Sequence, residues 1–82
     1  MVIVSFNPSF EKIFSKIKDK SLKDRIIKRF IKIKENPEIG KPMKYTRKGT
    51  REVYISPFRL SYVYLKNEDK LIFLDLYHKD EQ

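Results

Sequence analysis

At 82 residues and 9.9 kDa the chain has room for one domain, residues 1–82, and for one site. A core this small removes only roughly 60% of the unfolded chain's surface from water, so a stabilising partner is expected. The absence of cysteine and the single histidine exclude a disulfide framework, thiolate zinc and any His-rich cage, and no metal or cofactor is expected. Nineteen Lys and Arg against eleven Asp and Glu leave a net charge of +8 and a pI of about 9.8, which points to an anionic partner. Wholly apolar runs are far shorter than the roughly 20 residues that span a bilayer, and Met1 runs straight into Val2-Ile3-Val4, so a cytoplasmic protein is expected.

Val2, Ile3, Val4 and Phe6 read as a short strand that stops at the turn pair Asn7-Pro8. Asn7 suits an N-cap, with Pro8 at the first helical position, where a missing N–H costs nothing. Phe10, Ile13, Phe14 and Ile17 follow at helical spacing, which predicts a first helix over about 9 to 19. Ser21 with Asp24 is a variant capping box that opens a second helix, with Leu22, Ile26, Ile27, Phe30 and Ile33 on its apolar face. Asn36-Pro37 ends it, because the residue before proline is pushed out of the α region. Two helices joined this tightly form a hairpin whose basic side reads as a solvated outer face.

Glu38 to Thr50 reads as a linker, with a short strand near Met43 to Thr46. After it the period changes to two, and Arg51–Ser56, Phe58–Leu65 and Leu71–Tyr77 become three strands of an antiparallel meander. With Ser56-Pro57 at a hairpin tip, position 53 faces 60 and 54 faces 59. Val53, Ile55, Phe58, Leu60 and Tyr62 then share the face that takes the helices. Glu52, Tyr54, Arg59 and Ser61 share the other, joined by Asp75 and Tyr77. Residues 41–59 carry a net +5 and residues 66–82 a net −2, so positive charge concentrates on the linker and first hairpin. Gly-rich phosphate loops, HExxH and GxSxG are all missing from the sequence.

The order of strand, helical hairpin and meander, with Gly40-Lys41-Pro42-Met43-Lys44 before Gly49, then Phe58-Arg59-Leu60-Ser61-Tyr62 and a closing Leu76-Tyr77-His78, resembles the RelE/ParE superfamily of small toxins. The Gly-Lys-Pro segment and the closing Tyr-His are similar to its YoeB branch. The resemblance implies an α+β RelE-like fold, β-α-α-β-β-β, with a helical hairpin packed on one face of a small antiparallel sheet. It also implies the toxin of a type II toxin-antitoxin module: a metal-independent endoribonuclease that cuts mRNA on the ribosome and is held in check by an acidic, RelB-like antitoxin.

That chemistry needs a base for the ribose 2′-hydroxyl, a cation on the phosphate and an acid for the leaving 5′-oxygen. Arg59 matches the family's phosphate-contacting arginine, with an ion pair to Asp75 or Glu52 as its structural alternative. His78 matches the general acid of the YoeB branch, although in an unbroken last strand it would point to the helix side with Ile72, Leu74 and Leu76. The base stays open: Met43 stands where the YoeB branch has a glutamate, and Glu52 can supply a carboxylate from the strand or simply pair with Lys44 or Arg59. Lys41, Lys44, Arg47, Lys48 and Arg51 form the implied phosphate-contacting patch, and Tyr54 and Tyr77 are placed to stack on a base or bond a phosphate. Two rivals share these residues, a ParE-like inhibitor of DNA gyrase that catalyses nothing and an inert basic RNA-binding module.

Overall fold

A computed structural model describes residues 2–42 and 49–78, and among these described residues there are five strands and two helices. In chain order they are β1 (Ile3–Phe6), α1 (Pro8–Lys16), α2 (Lys20–Glu35), β2 (Lys41–Pro42), β3 (Thr50–Ile55), β4 (Phe58–Leu65) and β5 (Lys70–His78), with a 3₁₀ turn over Lys66–Glu68. The sheet order is β1-β5-β4-β3-β2. β2 to β5 pair antiparallel as the meander predicts, whereas β1 lies parallel to β5, so the sheet is mixed. The helical hairpin between them provides the crossover that a parallel pair requires. The strand expected near Met43 to Thr46 falls outside the described residues; β2 lies just before it. No helix among the described residues is long and apolar enough to cross a membrane.

α1 stops at Lys16, short of the predicted 19, because Asp19 is needed elsewhere. In an extended conformation, Asp19 accepts hydrogen bonds from the backbone N–H groups of Ser21 and Leu22 and so caps α2. The expected Ser21 cap therefore lies inside the first turn. Asn7 occupies the N-cap position of α1 as predicted, but its side chain makes no capping bond. α2 ends at Glu35 with Asn36 as C-cap, where the following proline demanded it.

The hairpins bury one face of the sheet. Phe10, Leu22, Ile26 and Ile33 pack on Val53, Ile55, Leu60, Tyr62, Leu71, Phe73 and Leu76. Phe6, Phe10, Phe14, Phe30 and Phe73 form a ring cluster with neighbouring centroids 4.6 to 6.1 Å apart. Ile27 does not join this core: it is 44% exposed, and Ile31, one turn on, is 53% exposed.

Register along β5 decides which side chains reach each face. Ser61 pairs with Asp75 but Tyr62 pairs with Phe73, so Leu74 is the extra residue of a β-bulge. Leu71 and Phe73 point to the helices before the bulge and Leu76 after it, displacing Ile72 and Leu74 from the face that strict alternation assigns them. Ser9 Oγ donates to the carbonyl of Leu74 (2.9 Å) and the Asp75 carboxylate accepts from Leu76 N–H (2.9 Å), so both backbone groups flanking Asp75 are satisfied.

Candidate functional site

The sheet face away from the helices carries a grid of polar side chains set by strand register. One row, from the β2 edge inward, is Lys41, Glu52, Ser61 and Asp75; the next is Tyr54, Arg59 and Tyr77. Successive members face each other across neighbouring strands, where side chains on one face are close enough to bond. The 53/60 and 54/59 pairings predicted from the hairpin are the observed ones.

Glu52 is the hub. Its Oε1 accepts from Arg59 Nη1 at 2.6 Å and its Oε2 accepts from the hydroxyl of Tyr77. The Arg59 guanidinium also lies over the ring of Tyr54, 5.8 Å from its centroid. Asp75, the other acid that could have paired with Arg59, is engaged with Leu76 N–H instead. Two polar atoms of the grid, Arg59 Nε and Ser61 Oγ, are buried without a hydrogen-bonding partner among the described residues.

His78 is not in this constellation. It pairs in register with Phe58 and meets that ring edge-on, with centroids 5.7 Å apart, on the helix-side face. The bulge that could have redirected it lies upstream, and strand alternation from Leu76 onward returns His78 to the covered side while turning Tyr77 to Arg59. Sequence resemblance alone thus places the closing dipeptide at the site, and the structure divides it between two faces.

Arg51 leaves the predicted phosphate patch as well. It shares the helix-side face with Val53 and Ile55 and donates from Nη1 to the carbonyls of Glu38 (2.9 Å) and Gly40 (2.8 Å), with the Glu38 carboxylate 3.7 Å from Nη2. Its odd position in β3 was the available signal. The same segment is held by Tyr62, whose hydroxyl donates to the carbonyl of Pro37 (2.8 Å) and accepts from Gly40 N–H (2.9 Å). A Cβ on Gly40 would stand 2.5 Å from that hydroxyl, so only glycine permits the approach. Burial pushes the Tyr62 phenol above its ordinary value, while the bond from Gly40 and the charge of Arg51 act in the opposite direction. This latch, missed in the sequence, leads the chain into β2 and sets Lys41 beside Glu52.

Of the predicted patch, Lys41 is exposed on the open face, and Lys44, Arg47 and Lys48 fall outside the described residues. Within the grid the positive charges of Lys41 and Arg59 are matched by Glu52 and Asp75, so the formal charge of these four residues cancels. A cavity of about 270 Å³ opens beside the Arg51 latch, with Glu38, Pro42, Tyr64 and Lys66 in its wall.

Comparison with known proteins bears on what such a surface serves. No curated protein matches the chain in sequence. Among solved structures, a chain of the intact E. coli RelBE toxin-antitoxin complex superposes with a TM-score of 0.83 at 15% identity, covering 100% of both chains. The YoeB/ParE toxin from Agrobacterium tumefaciens gives 0.83 at 15% identity over 94% of this chain and 98% of its own. The RelBE2 toxin-antitoxin complex from Mycobacterium tuberculosis gives 0.81 at 19% identity over 95% and 98%. At these identities the likeness establishes the RelE-like α+β fold. The family model described as ParE toxin of type II toxin-antitoxin system, parDE, matches residues 4–82. With nearly its whole length matched, the chain belongs to the ParE toxin family of type II toxin-antitoxin systems, within the RelE/ParE superfamily that its motifs resemble.

Proposed function

We propose that this toxin cleaves ribosome-bound mRNA by attack of a ribose 2′-hydroxyl on the adjacent phosphodiester. The observation that carries the reading is the direct contact of Arg59, Glu52 and Tyr77 on the sheet face away from the helices. A carboxylate, a guanidinium and a phenol in one bonded group supply the three roles that the reaction needs. Glu52 takes the 2′-hydroxyl proton as the 2′-oxygen bonds to phosphorus, and Arg59 stabilises the charge that develops on the phosphoryl oxygens. The bond from phosphorus to the 5′-oxygen breaks, leaving a 2′,3′-cyclic phosphate. Tyr77, rather than His78, protonates the leaving 5′-oxygen and recovers a proton from Glu52 through the bond they share. Tyr54 offers an exposed ring for base stacking, and Lys41 with Lys44, Arg47 and Lys48 binds the backbone.

An acidic antitoxin is the proposed partner. Structural neighbours are toxin-antitoxin complexes from E. coli and M. tuberculosis and an archaeal RelE-RelB complex from Pyrococcus horikoshii. On this chain, the +8 charge and the exposed apolar pair Ile27 and Ile31 on α2 suit an acidic, amphipathic segment that orders as it binds.

A second reading, non-catalytic inhibition of DNA gyrase, draws on the ParE family match and on the cancellation of Arg59's charge in place. Primer-extension mapping of a defined mRNA in a purified translation mixture separates the two. Ribosome-dependent cuts that vanish in Arg59→Ala and Tyr77→Phe and persist in His78→Ala are the expected result. Absence of cuts from a folded protein that blocks gyrase supercoiling would replace this reading with the second.

A further inference from the structure

The geometry points to Glu52 as a built-in competitor of the substrate phosphate: it closes the Arg59 guanidinium in the substrate-free protein, and a phosphodiester gains the arginine only by displacing that carboxylate. The inference rests on the open face being the phosphate-binding site. Glu52 holds Arg59 through Nη1 alone, at 2.6 Å, and makes no second bond to the guanidinium, whose Nε is buried and has no partner among the described residues. Such a one-point contact is the weaker of the two ways a guanidinium meets an oxyanion, since a phosphate takes two parallel N–H donors at once. An incoming phosphate therefore has a bond to offer that the carboxylate does not use.

The displaced carboxylate also has somewhere to stay. Its second oxygen is already held by Tyr77, and Lys41 faces it across the β2–β3 pair on the same side of the sheet. Departure from Arg59 thus leaves Glu52 anchored and its Oε1 released. The same exchange frees the oxygen that the proposed reaction uses as base at the moment the phosphate arrives. Until then the arginine, with 35% of its side chain exposed, is neutralised by an acid with 18% exposed, and the local formal charge is zero.

Binding of a short single-stranded 2′-O-methyl RNA, which lacks the attacking hydroxyl, tests the exchange without ribosome or cleavage. Glu52→Gln keeps the shape of the side chain and removes the charge that competes. Tighter binding by about tenfold is expected, the equivalent of one charge-assisted hydrogen bond no longer contested. The slope of log affinity against log salt should steepen by about 0.7, because Arg59 then neutralises a phosphate without uncovering an internal acid. In an Arg59→Ala background the Glu52→Gln gain should disappear. A gain that survives without Arg59 reflects net charge alone and overturns the exchange, as does no gain at all. Tyr77→Phe, which removes the anchor that holds the displaced carboxylate and keeps its charge, should instead weaken binding by about two- to threefold, and only where Arg59 is present; it serves if Glu52→Gln folds poorly. Primer-extension cuts without any Arg59-dependent gain would remove the exchange and leave the nuclease reading intact. An Arg59-dependent gain without cuts would keep the exchange and remove the nuclease.

Discussion

The two faces of this sheet are made by alternate residues of the same strands, and they are built for opposite ends. On the helix side, Val53, Leu60, Tyr62, Leu71, Phe73 and Leu76 are buried, and the Tyr62 hydroxyl has a partner for each of its bonds. On the open side, charges are set against each other, and Arg59 Nε and Ser61 Oγ have no partner among the described residues. Stability is concentrated where water is excluded by apolar contact, and the groups capable of chemistry sit where their loss costs the fold little. Such a division is expected when binding groups must be able to exchange partners.

Truncating the covered face should have the largest effect. Phe73 is 1% exposed and meets Phe6, Phe10, Phe30 and Tyr62, so Phe73→Ala should cost about 3–5 kcal/mol, a large part of the roughly 5–15 kcal/mol typical of a small domain. The urea midpoint measures it, and an equal loss from Arg59→Ala would break the comparison between faces. The polar latch of the same face comes next. Tyr62→Phe leaves the N–H of Gly40 and the carbonyl of Pro37 without their partner and should cost about 1–3 kcal/mol.

That variant also carries a pH signature. Tyr62 is held above its ordinary value of 10.0 chiefly by burial, so the folded state keeps a proton that the unfolded chain loses first. Its contribution to stability is complete below pH 10.0 and is lost as the pH rises through the folded value. Tyr62→Phe should therefore flatten the alkaline limb of stability. Tyr64, raised by its hydrogen bond to the Asp69 carboxylate, leaves some slope behind. An unchanged limb would mean that the latch opens before the fold does.

Much of this architecture was legible because alternation in β3 and β4 is clean and Ser56-Pro57 marks the hairpin tip. The grid of Glu52, Tyr54, Arg59 and Ser61 followed from that register. β5 was not legible in the same way, since Leu71-Ile72-Phe73-Leu74 is apolar at every position and alternation has nothing to alternate with. The bulge at Leu74 therefore left no trace in the pattern, and with it went the assignment of Ile72 and Leu74. Asp19 and Ser21 are both good caps two residues apart, and which of them turned out of the helix was a matter of backbone geometry that composition does not record. His78 was legible from parity, which set it with Leu76 on the helix side; the motif points the other way because it records adjacency in the chain, whereas in a strand adjacent side chains point to opposite faces. Arg51 could have been assigned from parity alone, but a basic residue in a basic segment invited the electrostatic reading.

The smallest effect tests the comparison most finely. Ser61 is as buried as Phe73, at 1% exposed, yet it belongs to the open face and its hydroxyl has no partner there. Desolvating a hydroxyl without a compensating bond costs about 1–3 kcal/mol, and Ser61→Ala removes that cost together with one atom of packing. The two terms nearly cancel, so the variant should lie within about 1 kcal/mol of the parent in urea, on the stabilised side. Burial by itself would predict the opposite sign. A loss well above 1 kcal/mol would show Ser61 bonded to its row neighbours Glu52 or Asp75, and would make the open face a second source of stability. If Ser61→Ala instead keeps the fold and loses growth inhibition, the buried hydroxyl is held in reserve for a ligand. The open face would then be strained in the free protein and satisfied only when its substrate is bound.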